Sequence, residues 1–211
     1  MTRAIAALFL LASLASANDL KPLQDALQRQ AQHESVEVTF RQTKKSPALD
    51  SEIKTMGKLW LVPRESFRWE LGQPAKKVVI FNGGDVFVLN QIDKTAQRFS
   101  RDHKTVKPLF LTLGMGEDAN FKGLEKAFEI IGTNQGQGRF VAKLSPKVRG
   151  VRKMIKSLLM QVNLEESFLE RVGWVQRDGT ETMTEFFKPT LNQKLPKKLF
   201  SVAEGAYTWK E

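Results

Sequence analysis

The 211 residues carry 33 basic and 23 acidic side chains, a formal net charge of +10, and no cysteine. A chain of this size makes one domain or two small ones, and here burial must hold it together without disulfides. With no cysteine and only two histidines, His33 and His103, a Cys/His zinc pattern and a thiol nucleophile are excluded.

The first residues have the layout of an export signal. Arg3 supplies the positive start, Ala4 to Leu14 form an uncharged apolar run, and Ala15-Ser16-Ala17 is an A-x-A cleavage site. The run is shorter than the roughly 20 residues that span a bilayer. Residues 1–17 are therefore expected to be a cleavable signal peptide, and residues 18–211 a single soluble periplasmic domain. Asn18 cannot take the acyl chains that a cysteine there would receive, so no lipid anchor is expected. The counterparts of a basic exported protein are anionic lipid head groups or acidic protein surfaces rather than nucleic acid.

Asn18 to Gln32 reads as an amphipathic helix, with Leu20, Leu23, Leu27 and Ala31 at helical spacing and Asn18 or Asp19 as its cap. From Val36 the period changes to two: Val36, Val38 and Phe40 alternate with Glu37, Thr39 and Arg41. A polar stretch from Thr43 to Lys54 is expected to be a loop or frayed edge. Gly57 to Val62 is a strand, Pro63 to Ser66 a turn, and Phe67, Trp69 and Leu71 mark a further strand. Val78 to Phe81 and Asp85 to Leu89 flank Asn82-Gly83-Gly84, a hairpin signal because Asn and Gly tolerate positive φ. Thr95 to Phe99 adds a strand. Lys107 to Leu113 and Asn120 to Ala127 read as short helices among loops at Gly114, Gly116 and Gly123. Strands resume at Phe128 to Ile131, Arg139 to Leu144 and Ile155 to Leu164. Phe168 to Gln176 and Thr180 to Phe187 flank a second hairpin turn at Arg177-Asp178-Gly179. A last short strand is placed at Leu199 to Val202. The whole is mainly β with a few helices, its neighbouring strands antiparallel.

Catalytic material is scarce. No serine sits in a G-x-S-x-G elbow. Gly114/Gly116 and Gly136/Gly138 lack the continuation of a phosphate-binding loop. Glu165/Glu166 and Asp178/Glu181 are indistinguishable from surface charge. No enzyme activity, cofactor or metal is expected, a periplasmic enzyme being the distant alternative.

Two features stand out. Trp60, Phe67, Trp69, Phe81 and Phe87 lie among strands that are apolar on both faces, as in Val78–Phe81 and Val86–Leu89. Such strands need cover on both sides. Either helices sandwich an ordinary core, or a curved sheet encloses an apolar cavity beneath a helical lid. The second feature is a basic run, Lys147, Arg149, Arg152, Lys153 and Lys156, with no acidic neighbour. It reads as a solvated loop, and as a candidate for docking on an acidic partner or an anionic membrane face.

Several segments, in order, resemble the periplasmic outer-membrane lipoprotein carrier family, LolA. They are Phe40-Arg41-Gln42, Gly57-Lys58-Leu59-Trp60, Phe67-Arg68-Trp69-Glu70, Gln73-Pro74, Asn82-Gly83, Leu144-Ser145-Pro146-Lys147, Asp178-Gly179 and Asn192 to Phe200. The resemblance implies an unclosed antiparallel β-barrel whose apolar concave face is lidded by helices. It implies a carrier that takes acylated lipoproteins from an inner-membrane ABC-type releasing complex to an outer-membrane acceptor, working as a monomer. Carriage or sensing of another lipid in the same fold is the alternative.

By alternation, Val38, Phe40, Leu59, Leu61, Phe67, Trp69 and Leu71 are the candidates for the lipid-binding concave face. The stretch from Val78 to Leu89 offers two faces, Ile80/Phe87/Leu89 and Val79/Phe81/Val86, and the first set is assigned to the lipid. The family has Arg-Pro after its W-strand, the arginine latching the lid. Here the order is Pro63-Arg64, so Arg64, the candidate latch, is expected to point outward unless the turn differs.

Overall fold

The computed structural model describes residues 20–101, 103, 121–203 and 205–210. The export signal, the caps expected at Asn18 and Asp19 and the helix expected at Lys107–Leu113 lie outside the described residues.

Helix α1 (Lys21–Gln30) leads into β1 (Val36–Lys45), β2 (Ile53–Val62), β3 (Ser66–Leu71), β4 (Lys77–Phe81), β5 (Asp85–Asn90) and β6 (Thr95–Ser100). Helix α2 (Phe121–Ala127) precedes β7 (Phe128–Gly136) and β8 (Arg139–Pro146). Helix α3 (Arg149–Met154) then leads to β9 (Ile155–Asn163), β10 (Phe168–Gln176), β11 (Glu181–Leu191) and, near the end, β12 (Thr208–Trp209). Among the described residues these strands form one sheet in the order β12-β6-β5-β4-β3-β2-β1-β11-β10-β9-β8-β7. Neighbours are antiparallel except β12, which runs parallel to β6. The sheet curls but does not close.

The expected hairpins form as their turn residues require. Gly83 and Gly179 have φ of 90° and 84°. Asn82 Oδ1 accepts from the Gly84 and Asp85 amides at 3.3 and 3.2 Å, and Asp178 Oδ1 accepts from the Thr180 amide at 2.9 Å. The strands run longer than their sequence signals: β1 and β2 extend into the stretch expected to be a loop, leaving only 46–52 outside them.

Bulges interrupt the ladder at several points. Between Glu37 and Thr39 the β1–β11 register slips, with Lys188 and Pro189 opposite Val38 alone. Lys188 takes φ of 51°, and proline, lacking an N–H, is tolerated where the ladder is interrupted. A second slip leaves Glu170 extra on β10, and a third follows Ile130 on β7. Each extra residue bends its strand and sharpens the local twist.

At the second bulge, Glu170 accepts hydrogen bonds from Arg139 Nε (2.8 Å), Gln161 Nε2 (2.9 Å) and Asn163 Nδ2 (2.9 Å). Burial by itself would raise its pKa; the bonds from Arg139, Gln161 and Asn163 outweigh it and hold the carboxyl below its ordinary 4.5. A depressed folded-state pKa means stability that is present above 4.5 and lost as pH falls through the lower folded value. Glu170→Gln should therefore lower stability at neutral pH and flatten its decline in acid. Urea melts between about pH 3 and about pH 7 measure both; parallel wild-type and variant curves would contradict the assignment.

Two local expectations are corrected. Leu199–Val202 is not a strand: after Pro196 the chain makes a short 3-10 turn, Lys197–Phe200, that points Phe200 into the core. Its Leu199 carbonyl accepts from Arg68 Nη1 at 3.2 Å. The basic run is not a loop but contains α3, which forms because Val151, 3% exposed, is drawn into the core. The structure also adds β12, a strand of two residues with no periodicity to show it.

Candidate functional site: the aromatic concave face

Register sorts the side chains into two faces. On one, Val36, Val38 and Phe40 of β1 lie beside Leu59 and Leu61 of β2, then Phe67, Trp69 and Leu71 of β3. Helices α1 and α2 lie against the same face further along, where Leu23, Ala26 and Leu124 pack on Phe140, Leu144, Leu158 and Met160. Phe186 of β11 touches both clusters and joins them. This is the concave face, and it brings together all seven residues assigned to it on β1, β2 and β3.

Its centre is aromatic. Phe40 and Trp69 have ring centroids 4.3 Å apart, and Phe186 stands edge-on to each at 6.2 and 6.1 Å. Phe168 lies 6.5 Å from Phe186, and Phe67 lies 6.0 Å from Phe81. Edge-to-face and tilted contacts of this kind add to the burial of the rings. The Phe40 ring fits because β2 has Gly57 beneath it, where a Cβ would sit 2.1 Å from Phe40 Cζ. Val38, Phe40, Leu59, Leu61 and Phe67 are buried, whereas Trp69, Leu71, Val79, Phe99 and Phe186 are only half-buried. The buried group forms the wall, and the half-buried group keeps part of its apolar surface uncovered.

The β4–β5 hairpin corrects the sequence assignment. Phe67 pairs with Phe81, Trp69 with Val79 and Phe81 with Val86, so Val79, Phe81 and Val86 are the concave residues. Ile80, Phe87 and Leu89 lie on the convex face, packed with Phe200 and the half-buried Leu199, Val202 and Tyr207. Parity across β3–β4 depends on the turn at residues 72–76, whose length the hydrophobic pattern leaves undetermined. Both faces of these strands are indeed covered, the convex one by the C-terminal segment and not by helices. Phe99, Phe168 and Phe186 join the concave set without having been expected there; the Phe186-Phe187 pair signals that one ring must face inward, but not which.

Arg64 takes a left-handed φ of 67° in the β2–β3 turn. That conformation brings the exposed side chain to a cleft of about 500 Å³, lined also by Gln24, Leu27, Gln28, Ala31 and Gln32 of α1 and its end, and by Phe121 and Lys122 of α2. So the turn does differ, and Arg64 faces the helices; among the described residues no hydrogen bond or ion pair fastens it to them. Nearby, a cavity of about 20 Å³ lies between Gln30 and the Val36, Val38, Leu59, Leu61, Phe168, Leu169 and Phe186 side chains. That is close to the room one water needs, so α1 fills this end of the concave face.

The titrating groups with shifted pKa values lie elsewhere. Asp93 is lowered first by the Thr95 hydroxyl, Asp178 by the Thr180 amide, and Arg98 is raised by Asp85; all serve turns or convex ion pairs. Among the described residues no three His, Asp or Glu side chains gather as metal ligands, and no helix is long and apolar enough to cross a membrane. His33 and His103 are half-buried, His103 lying 4.9 Å from the Phe99 ring. Lys147, Arg149, Arg152, Lys153 and Lys156 are exposed on and beside α3, away from the aromatic centre.

A curled, unclosed sheet with helices laid over an aromatic concave face is the architecture of this chain. The chain belongs to the outer membrane lipoprotein carrier protein LolA family, whose model matches residues 31–203. Proteins of this family are periplasmic and bind lipids or lipoproteins. No curated protein matches the sequence. Among solved structures, an uncharacterized conserved protein from Thermus thermophilus is 10% identical with a TM-score of 0.53, over 89% of this chain and 99% of that one. A LolA superfamily protein from Nitrosomonas europaea is 13% identical with a TM-score of 0.45, over 85% and 97%. The lipoprotein LppX from Mycobacterium tuberculosis is 13% identical with a TM-score of 0.43, over 84% and 96%. The Thermus likeness concerns the fold alone.

Proposed function

We propose that this protein is an exported, soluble periplasmic carrier that shields the acyl chains of lipoproteins. It receives them from an inner-membrane ABC-type complex and delivers them to an outer-membrane acceptor. The observation that carries this reading is the row of half-buried apolar side chains, Trp69, Leu71, Val79, Phe99 and Phe186, on the helix-lined face of a LolA-family sheet. No covalent step is required, and the protein acts without being an enzyme.

The physical logic is one of exchange. Each methylene withdrawn from water gains about 0.8 kcal/mol, so a bare acyl chain is costly to carry uncovered. Since α1 fills one end of the concave face, a chain can occupy that end only if α1 shifts. The cost of that shift offsets part of the binding, which leaves the cargo transferable.

A fluorescent acylated peptide titrated into the protein should bind and change Trp69 emission, while the same peptide without its acyl chain should do neither. Failure of both added acyl peptide and co-purifying lipid to appear, in protein recovered from an exporting host, would sink the proposal. A second reading, carriage of a different lipid, is favoured by Arg64: this chain has the reversed Pro63-Arg64 order, and among the described residues nothing fastens the arginine to the helices. Free lipid in the extract, with no binding of acyl peptide, would decide for it.

A further inference from the structure

We propose that the α3 end of the sheet docks on an anionic phospholipid surface, which gives the carrier a defined place of contact with a membrane. The proposal rests on the carrier reading only in that a carrier of acyl chains works at membrane faces.

The chain has no acidic residue between Glu129 and Glu165, yet that stretch holds seven basic ones. In the fold, four of them, Arg149, Arg152, Lys153 and Lys156, are exposed along α3 and the start of β9. Their side chains make no hydrogen bond or ion pair among the described residues. The fifth, Lys147, donates to the Glu125 carbonyl at 2.8 Å and so sits at the end of α2, one of the helices on the concave face. Arg177 joins the group from the next hairpin, its Nε donating to the Arg152 carbonyl at 2.6 Å.

The contrast with the faces of the sheet is what makes this cluster informative. Along the strands several cations are neutralised in place. Arg41 and Arg171 share Glu185 at 2.5 and 2.8 Å, Arg139 holds Glu170 at 2.8 Å, Arg68 holds Glu70 at 2.6 Å and Lys58 holds Glu37 at 2.5 Å. Around α3 several cations gather with no carboxylate between them in the chain, at a cost in mutual repulsion that an external anion relieves.

Two features favour a lipid surface over an acidic protein. The four side chains are long and not fixed by any partner among the described residues, which suits a diffuse sheet of charge and not the directional pairing of a protein interface. Val148, at the start of α3, is 40% exposed beside them and offers an apolar contact to the head-group layer.

The test is flotation of the full protein with vesicles of phosphatidylcholine alone and with added phosphatidylglycerol. The wild type should float only with the anionic vesicles, and binding should fall as salt rises from about 0.1 M to about 0.5 M. The variant Arg149→Ala/Arg152→Ala/Lys153→Ala/Lys156→Ala should bind them at least about tenfold more weakly. A control with the same loss of charge elsewhere, Lys188→Ala/Lys194→Ala/Lys197→Ala/Lys198→Ala, should bind nearly as well as wild type. Equal losses in the two variants would reduce the effect to net charge and overturn the proposal. So would a wild type that ignores anionic vesicles, leaving an acidic protein as the partner of α3. Acyl-peptide binding in solution, measured on the same α3 variant, should be unchanged; its absence from wild type as well would count against the carrier reading and leave the docking result standing.

Discussion

Trp69→Glu should weaken binding of an acylated peptide by at least about a hundredfold while the protein stays folded. A hundredfold corresponds to about 2.7 kcal/mol, within the cost of desolvating a carboxylate that gains no partner. Trp69 is the right position because it combines reach with tolerance. Its ring packs on Phe40 and Phe186 at the aromatic centre, yet it is only half-buried, so without cargo the new carboxylate can keep water. Phe67, the preceding residue of β3 on the same face, is fully buried and would confound binding with unfolding. Fluorescence titration of a labelled acyl peptide, alongside a thermal melt, reads the two effects apart. Undiminished affinity in a folded variant would remove Trp69 from the ligand surface.

The largest effect on stability is expected from one of the smallest changes. Gly57→Ala should cost about 3 kcal/mol, at the upper end for overpacking a close-fitted core. The added carbon would meet Phe40 Cζ at 2.1 Å and the Glu70 carbonyl oxygen at 2.4 Å. The ring can turn aside, but the carbonyl belongs to β3 and moves only with the strand. Phe40→Leu in the Gly57→Ala background should therefore restore part of the loss and not all of it. Denaturant melts of the single and double variants measure this. A Gly57→Ala protein as stable as wild type would mean that the ring does not lie over Gly57.

How much of this is legible in the sequence depends on which physical rule each residue obeys. Alternation places Val38, Phe40, Leu59, Leu61, Phe67, Trp69 and Leu71 on one face because side chains on a strand alternate strictly and these strands carry their own polar partners. The same rule has nothing to work with in Val78–Phe81, where every residue is apolar. There the face follows from the β3–β4 turn, and pattern alone sends Ile80, Phe87 and Leu89 to the wrong side. Arg64 shows another limit: its left-handed turn is a backbone property that the Pro63-Arg64 order does not disclose. The C-terminal segment is legible only as a weak strand, since its task is to cover a face that the rest of the chain creates.

That cover has a mechanical consequence. Strands β3 to β6 lie between two apolar layers, the aromatic face on one side and Leu199, Phe200, Val202 and Tyr207 on the other. Bending them would open both layers at once, whereas α1 presses on its neighbours from one side only. Stiffness is thus distributed unevenly: one half of the molecule is braced from both sides, and in the carrier role proposed above the compliance is left to the helices.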